Sequence, residues 1–164
     1  MDPDIIFSAA KLVKRHEGRR RRVYLDSEGH PTVGDGFNLD RPGARQALSR
    51  VGADYDAVRA GRQDLTDQQI DALLARDLAD AVESARAVCP TFDRLPAGAQ
   101  LALIDMAFNL GRAGLQAFHG MLDALAREDF AAAAAEALDS KWARQVGRRA
   151  IEDAALLRGE TMEV

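Results

Sequence analysis

Thr66-Asp67-Gln68-Gln69-Ile70-Asp71-Ala72-Leu73-Leu74-Ala75-Arg76-Asp77-Leu78-Ala79-Asp80-Ala81-Val82-Glu83-Ser84-Ala85-Arg86-Ala87-Val88 is the stretch whose reading decides the architecture. Ile70, Leu73, Leu74, Leu78, Ala81, Val82, Ala85 and Val88 recur at the three- and four-residue intervals of one helix face. Thr66 and Gln69 stand at capping-box spacing, so each side chain can serve the other's backbone N–H. Pro90 disfavours helical backbone just before it and ends the run. The spacing predicts a helix of about six turns over 66–88, at about 3.6 residues per turn. A helix of that length can join two lobes, so the segments on either side are read separately.

Upstream, Ile5, Ile6, Ala9, Leu12 and Val13 give a helical face over 3–16, stopped at Gly18. From Arg22 to Asn38 the texture is that of strands. Val23-Tyr24-Leu25 and Thr32-Val33 flank the turn chemistry of Asp26-Ser27-Glu28-Gly29, which predicts a hairpin or three-stranded antiparallel sheet. Asp40-Arg41-Pro42 reads as a cap and first turn of a short helix to about Val51. Another short helix covers 54–60. Downstream everything is helical. Residues 96–110 are apolar on nearly all sides and predict a buried central helix. Leu115, Phe118, Leu122 and Leu125 form an amphipathic stripe, Phe130–Leu138 an Ala-rich helix, and Trp142 with 148–157 closes the bundle. The expected fold is α+β, mostly α, in a single domain over 1–164. It has a small β-sheet lobe over about 16–65 with the N-terminal helix 3–16, a connecting helix over about 66–88 and a helical lobe over about 90–164. A cleft between two lobes is the default binding site of such a shape.

The chain has 164 residues, 47% hydrophobic and 29% charged, an ordinary globular balance. Its formal net charge of −4 argues against a dedicated nucleic-acid binder, whose affinity rests on neutralising phosphates. One Cys excludes an internal disulfide framework, and three separated His make a zinc centre implausible, so no metal is expected. No apolar run reaches the length of a signal-peptide core or a membrane span. Stable membrane insertion is therefore not expected, and the chain is read as made in the (host) cytoplasm and acting elsewhere after release by another factor. The Arg19–Arg22 run fits either a solvated helix-to-strand surface or a contact with an anionic cell-wall polymer.

The residues that carry chemistry lie between 16 and 38. Glu17 ends the first helix, Asp26 ends the first strand and Thr32 stands on the returning strand. Helix end and strand end can bring two carboxyl groups to one groove. Glycosidic cleavage uses such a pair, one acid to protonate the leaving oxygen and one carboxylate to manage water or the cationic sugar. On spacing alone, a solvated helix-end Glu and a turn-forming Asp fit as well.

Glu17-Gly18, four residues, then Val23-Tyr24-Leu25-Asp26-Ser27-Glu28-Gly29-His30-Pro31-Thr32-Val33-Gly34 closely resembles the phage-type lysozymes, the muramidases of glycoside hydrolase family 24. The family pattern is Glu, eight residues, Asp, five residues, Thr, and both intervals are kept. The resemblance extends through Thr66, Met106-Ala107-Phe108-Asn109-Leu110-Gly111, Ser140-Lys141-Trp142 and Arg149-Ala150. It implies a lysozyme-like fold and an endolysin-like muramidase. Such an enzyme hydrolyses the β-1,4 bond between N-acetylmuramic acid and N-acetylglucosamine in bacterial peptidoglycan, by general acid catalysis with inversion. By the same resemblance Glu17 is the general acid, Asp26 stays ionised and orients water, and Thr32 holds the water. Arg149 matches the arginine that pairs with the catalytic Glu across the lobes. Phe108 matches a cleft-lining aromatic. Asn38, Met121, Glu136 and Gln145 stand where the family contacts sugar, the first three with altered residue types. No cofactor is implied, peptidoglycan is the implied partner, and a monomer is expected. The alternatives are lytic transglycosylation, chitinase-like hydrolysis and a non-catalytic peptidoglycan-binding module. One departure stands out. The family has Gly-x-Gly-His with a small or apolar x, and here the run is Gly34-Asp35-Gly36-Phe37. If the strand continues through it, Asp35 faces away from Thr32 into the small lobe, where its carboxylate is paired with a nearby Arg, protonated, or exposed by a twist of the strand; Asp35→Val is expected to stabilise the fold.

Overall fold

The computed structural model describes residues 1–160. Helix α1 spans Pro3–Glu17, and strands β1 (Arg20–Leu25), β2 (Pro31–Gly34) and β3 (Phe37–Asn38) follow. Next come α2 (Ala44–Arg50), α3 (Tyr55–Arg59) and the long helix α4 (Asp67–Val88). A 3₁₀ turn over Phe92–Arg94 leads to α5 (Ala97–Gln116), α6 (His119–Ala126), α7 (Phe130–Leu138), α8 (Lys141–Val146) and α9 (Arg148–Leu157). The strands form an antiparallel sheet in the order β1-β2-β3, with Tyr24 opposite Thr32 and Thr32 opposite Asn38. This is the α+β, mostly helical, lysozyme-like class expected. Among the described residues, no helix is long and apolar enough to cross a membrane.

The chain divides into two compact units, one of Val13–Asp77 and one of Met1–Leu12 with Leu78–Val164. The boundaries fall inside α1 and inside α4. The capping box at the start of α4 is closed in both directions. Gln69 N donates to Thr66 Oγ1 at 3.1 Å, and Thr66 N donates to Gln69 Oε1 at 3.0 Å.

In the sheet-bearing unit, Val33, Phe37, Leu39, Leu48, Val58, Leu65, Ile70 and Leu73 form the core. Phe37, where the family pattern has His, is a core side chain, and the Arg41 guanidinium lies 3.7 Å from its ring centre. Helix α2 begins later than the sequence suggests. Asp40 does not cap it, because its carboxylate takes Arg59 Nη1 at 2.6 Å. Pro42 lies before the helix, which starts at Ala44 behind Gly43.

Asp35 corrects a second expectation. The strand does not run through it. Val33 pairs with Phe37, so the chain reverses over Gly34-Asp35-Gly36, with φ of +69° and +78° at the two glycines. Strand alternation therefore says nothing about where Asp35 points. Its carboxylate is buried, at 2% side-chain exposure, and takes both a 3.2 Å bond from Arg19 Nε and a 2.7 Å bond from Arg19 Nη2. Asp35→Val is thus expected to destabilise the domain, by about 1–3 kcal/mol, because it leaves a half-buried guanidinium without this acceptor. A melting temperature equal to or above wild type would contradict this.

The arginine run is likewise absorbed within its own unit. Arg19 also reaches Asp71 at 2.6 Å, Arg21 pairs with Asp67, Arg22 with Asp64, and Arg20 lies over the Tyr24 ring. Aspartates of α4 and the segment before it offset the charges of Arg19, Arg21 and Arg22, which weakens the case for a phosphate-binding stripe.

In the helical unit, α5 carries Ala99, Ala102, Leu103, Ile104, Met106 and Ala107 as buried residues, as its composition predicts. It continues past Gly111, where the backbone leaves helical geometry at φ 73° and ψ 174°. The stripe from Leu115 to Leu125 is shared by two elements, Leu115 closing α5 and Leu122 and Leu125 lying on α6. Asp129 caps α7 and Ser140 caps α8, each accepting a backbone N–H at 3.0 Å.

Candidate active site

Glu17 is the last residue of α1 and is half-buried. Its carboxyl lies against the backbone of the Gly34–Gly36 turn. A Cβ placed on Gly36 would sit 2.5 Å from Glu17 Oε2 and 2.8 Å from its Cδ. Any side chain at 36 would displace the carboxyl, and the positive φ adds strain for a residue other than glycine.

Asp26 and Thr32 meet around one carbonyl. Asp26 N donates to His30 O at 2.9 Å, and Thr32 Oγ1 donates to the same oxygen at 2.9 Å. Asp26 Oδ1 accepts the backbone N–H groups of Glu28 and His30 at 2.9 and 2.8 Å. The turn sequence Asp-Ser-Glu-Gly-His builds this: Asp side chains cap their own turns, and Gly29 takes the positive φ that closes it. The result fixes the Asp26 carboxylate through Oδ1. Oδ2 has no hydrogen-bond partner among the described residues. The Thr32 hydroxyl has spent its proton on His30 O, so it can only accept a hydrogen from a third group.

Tyr24 lies beside these groups, opposite Thr32 in the sheet. Its phenol is pushed above its ordinary value, first by burial and then by the negative charge of Glu17, with smaller contributions from Asp26 and Asp35 and an opposing one from Arg20. Asn38 pairs with Thr32 from β3, and its Oδ1 accepts Asp40 N at 2.8 Å. Glu17, Asp26, Thr32 and Asn38 therefore all belong to the sheet-bearing unit.

The remaining expected residues belong to the helical unit. Phe108 is half-buried on α5, Gln145 exposed on α8 and Glu136 exposed on α7, where its carboxyl abuts the backbone of Gly120. Met121 is fully buried in α6 and offers no surface to a ligand as it stands. Arg149 is buried near the start of α9. Its Nε and Nη2 donate to Asp105 Oδ2 and Oδ1 at 2.9 and 2.8 Å, a bidentate pair. Trp142 Nε1 donates to Asn109 Oδ1 at 2.8 Å, and its ring meets Phe118 edge-on at 5.9 Å.

Sequence reasoning missed Asp105 and Asp153. The available signal was an acidic residue on the buried face of an otherwise apolar helix. Asp153 is 0% exposed, and neither carboxyl oxygen has a hydrogen-bonding partner among the described residues. Burial, and then the charge of Asp105, hold its carboxyl well above the usual carboxylate range. Folding therefore favours its neutral form, and the domain forgoes stability as pH rises. The penalty is absent below the unfolded-state value of about 3.9 and grows as pH climbs toward the raised native value. Asp153→Val is expected to stabilise the domain by about 1–3 kcal/mol near neutral pH, where the unfolded chain also gains by ionising, and by less at pH 4, where only the cost of the unsatisfied neutral carboxyl remains. Denaturant melts of both proteins across pH test this, and a gain independent of pH would contradict it.

Comparison with known proteins follows the same outline. The family model described as phage lysozyme matches residues 14–158. The chain is 33% identical over 153 residues to the pre-baseplate central spike protein Gp5 of Enterobacteria phage T4, covering 87% of this chain and 26% of that protein. It is 26% identical over 153 residues to the probable T4-type lysozyme 1 of Dictyostelium discoideum, covering 88% of this chain and 90% of that one. It is 29% identical over 93 residues to the peptidoglycan hydrolase gp36 of Enterobacteria phage SP6, covering 57% of this chain and 9% of that one. This chain thus spans about a quarter of the spike protein and nearly all of the amoebal lysozyme. A match running from within α1 to the end of α9 makes the chain a member of the phage lysozyme family, and its domain a glycoside hydrolase of the lysozyme type.

Proposed function

We propose that the domain is a muramidase that cleaves the β-1,4 bond between N-acetylmuramic acid and N-acetylglucosamine in bacterial peptidoglycan. The observation that carries this reading is the convergence of Asp26 and Thr32 on His30 O, in the same unit as a half-buried Glu17 carboxyl. Two carboxyl groups with separate surroundings are what acid-assisted glycosidic cleavage requires. Glu17 gives its proton to the glycosidic oxygen as the C–O bond breaks, and the electron pair leaves with that oxygen. Positive charge develops on the sugar ring, where the Asp26 carboxylate stabilises it. A water then adds to the anomeric carbon from the opposite face. Thr32 Oγ1, limited to accepting, and Asp26 Oδ2, still open, take the two hydrogens of that water and so direct its lone pair. Asp26 accepts the proton the water loses. A single displacement of this kind inverts the anomeric configuration. The relative named a peptidoglycan hydrolase supports the substrate class.

Mass spectrometry of fragments released from purified peptidoglycan tests the reading. Reducing N-acetylmuramic acid ends are expected, with the α-anomer seen first by nuclear magnetic resonance. Ends carrying a 1,6-anhydro ring would indicate a transglycosylase instead, and no release would indicate a binding module.

A further inference from the structure

We propose that Arg19 and Asp35 are positioning residues for Glu17, their ion pair clasping the Gly34-Asp35-Gly36 turn against the Glu17 carboxyl. The proposal rests on the reading of Glu17 as the acid. The clasp joins two three-residue segments at both ends. At one end Glu17 lies against Gly36, close enough that a Cβ would reach 2.5 Å from Oε2. At the other end Arg19, two residues on, holds Asp35 by two bonds of 2.7 and 3.2 Å. The Asp35 carboxylate is almost fully buried, so its position is set by this pair and not by solvent. Arg19 is in turn anchored to α4 through Asp71 at 2.6 Å. The wall beside Glu17 is bare backbone, held in place from behind by a charge pair spanning the turn.

This arrangement has a chemical use. A general acid must present its proton within hydrogen-bond reach of the leaving oxygen, and small displacements of a reacting group are costly. If the turn drifts, the carboxyl gains room to rotate. The clasp also offsets a charge, since the Arg19 guanidinium, two residues from the acid, is held by both Asp35 and Asp71.

Two variants separate positioning from a merely structural role. Asp35→Asn keeps the shape and one acceptor but loses the charge. Arg19→Lys keeps the charge and loses the two-pronged grip. With soluble peptidoglycan fragments as substrate, both are expected to lose turnover by about 10- to 10²-fold with unchanged KM, the size of effect that a misplaced group produces. A structural role alone would lower the melting temperature and leave kcat of the folded protein alone. Wild-type kcat in folded Asp35→Asn and Arg19→Lys would overturn the proposal. If Asp35→Asn does not fold, kcat and KM of Arg19→Lys decide. Glu17→Gln is run beside them. If it stays active, the reading of Glu17 falls and takes this proposal with it. If it is inert while the two variants are unaffected, only the clasp is wrong.

Discussion

Glu17→Gln is expected to abolish measurable lysis while leaving the fold intact. The amide keeps the size of the side chain and its place beside Gly36, yet it has no proton to give the leaving oxygen. General acid assistance is worth roughly 10²–10⁴-fold in rate, so the residual activity should sit at or below the detection limit of a turbidity assay. Position 17 ends α1 and is half-buried, with no role in the cores of either unit. Circular dichroism and melting temperature should therefore stay close to wild type. Lysis within a few-fold of wild type in a correctly folded variant would remove Glu17 from the mechanism. Asp26→Asn gives the complementary result. Its amide can still accept the Glu28 and His30 N–H groups through Oδ1, so the turn survives, but it can neither stabilise the sugar cation nor take the proton of water. Loss of activity there, alongside Glu17→Gln, is what a hydrolase requires.

Asp105→Ala is expected to be the most damaging substitution for stability. Asp105 is 1% exposed and gives Arg149 both of its carboxylate oxygens. Breaking a buried pair by deleting one partner costs about 3–5 kcal/mol, because the remaining charge has already lost its water. Against a total of about 5–15 kcal/mol for a domain, that is a large fraction. Asp153 modifies the outcome in a checkable way. Asp105 is one of the groups that raises the Asp153 carboxyl, and Arg149 is the one that lowers it. With Asp105 gone, Asp153 is free to ionise beside Arg149 and supply the missing charge. Asp153→Val, stabilising in the wild-type background, is then expected to become destabilising in the Asp105→Ala background. Denaturant unfolding of the four proteins in a double-mutant cycle measures the coupling, and additive effects would contradict it.

Local signals carried the reading where the interacting residues are neighbours in the chain. Thr66 and Gln69 cap α4 from three residues apart, and the apolar repeat behind them sets its face. Asp26, Gly29 and His30 close their own turn within five residues, and Pro31–Gly34 returns against Arg20–Leu25. Such contacts follow from backbone preferences and side-chain period, which a sequence displays directly. The resemblance to the phage lysozymes marked Glu17, Asp26 and Thr32 by their intervals, and the structure sets the three in one unit. The misses have a common cause. Asp35 pairs with a residue 16 positions away, and Asp105, which the sequence did not single out, pairs with one 44 away. Asp40, in cap position by local rules, is drawn instead to Arg59, 19 positions on. Met121 was placed at a sugar site by its position in the family pattern, whereas packing of α6 buries it. By itself the sequence determined the helices, the hairpin and the spacing of Glu17, Asp26 and Thr32, because those depend on interactions a few residues long. Only the tertiary structure decided which carboxylates are paired, which is pushed toward its neutral form and what lies against Glu17. Those outcomes depend on burial and on charges that only the folded chain brings within a few ångströms of one another.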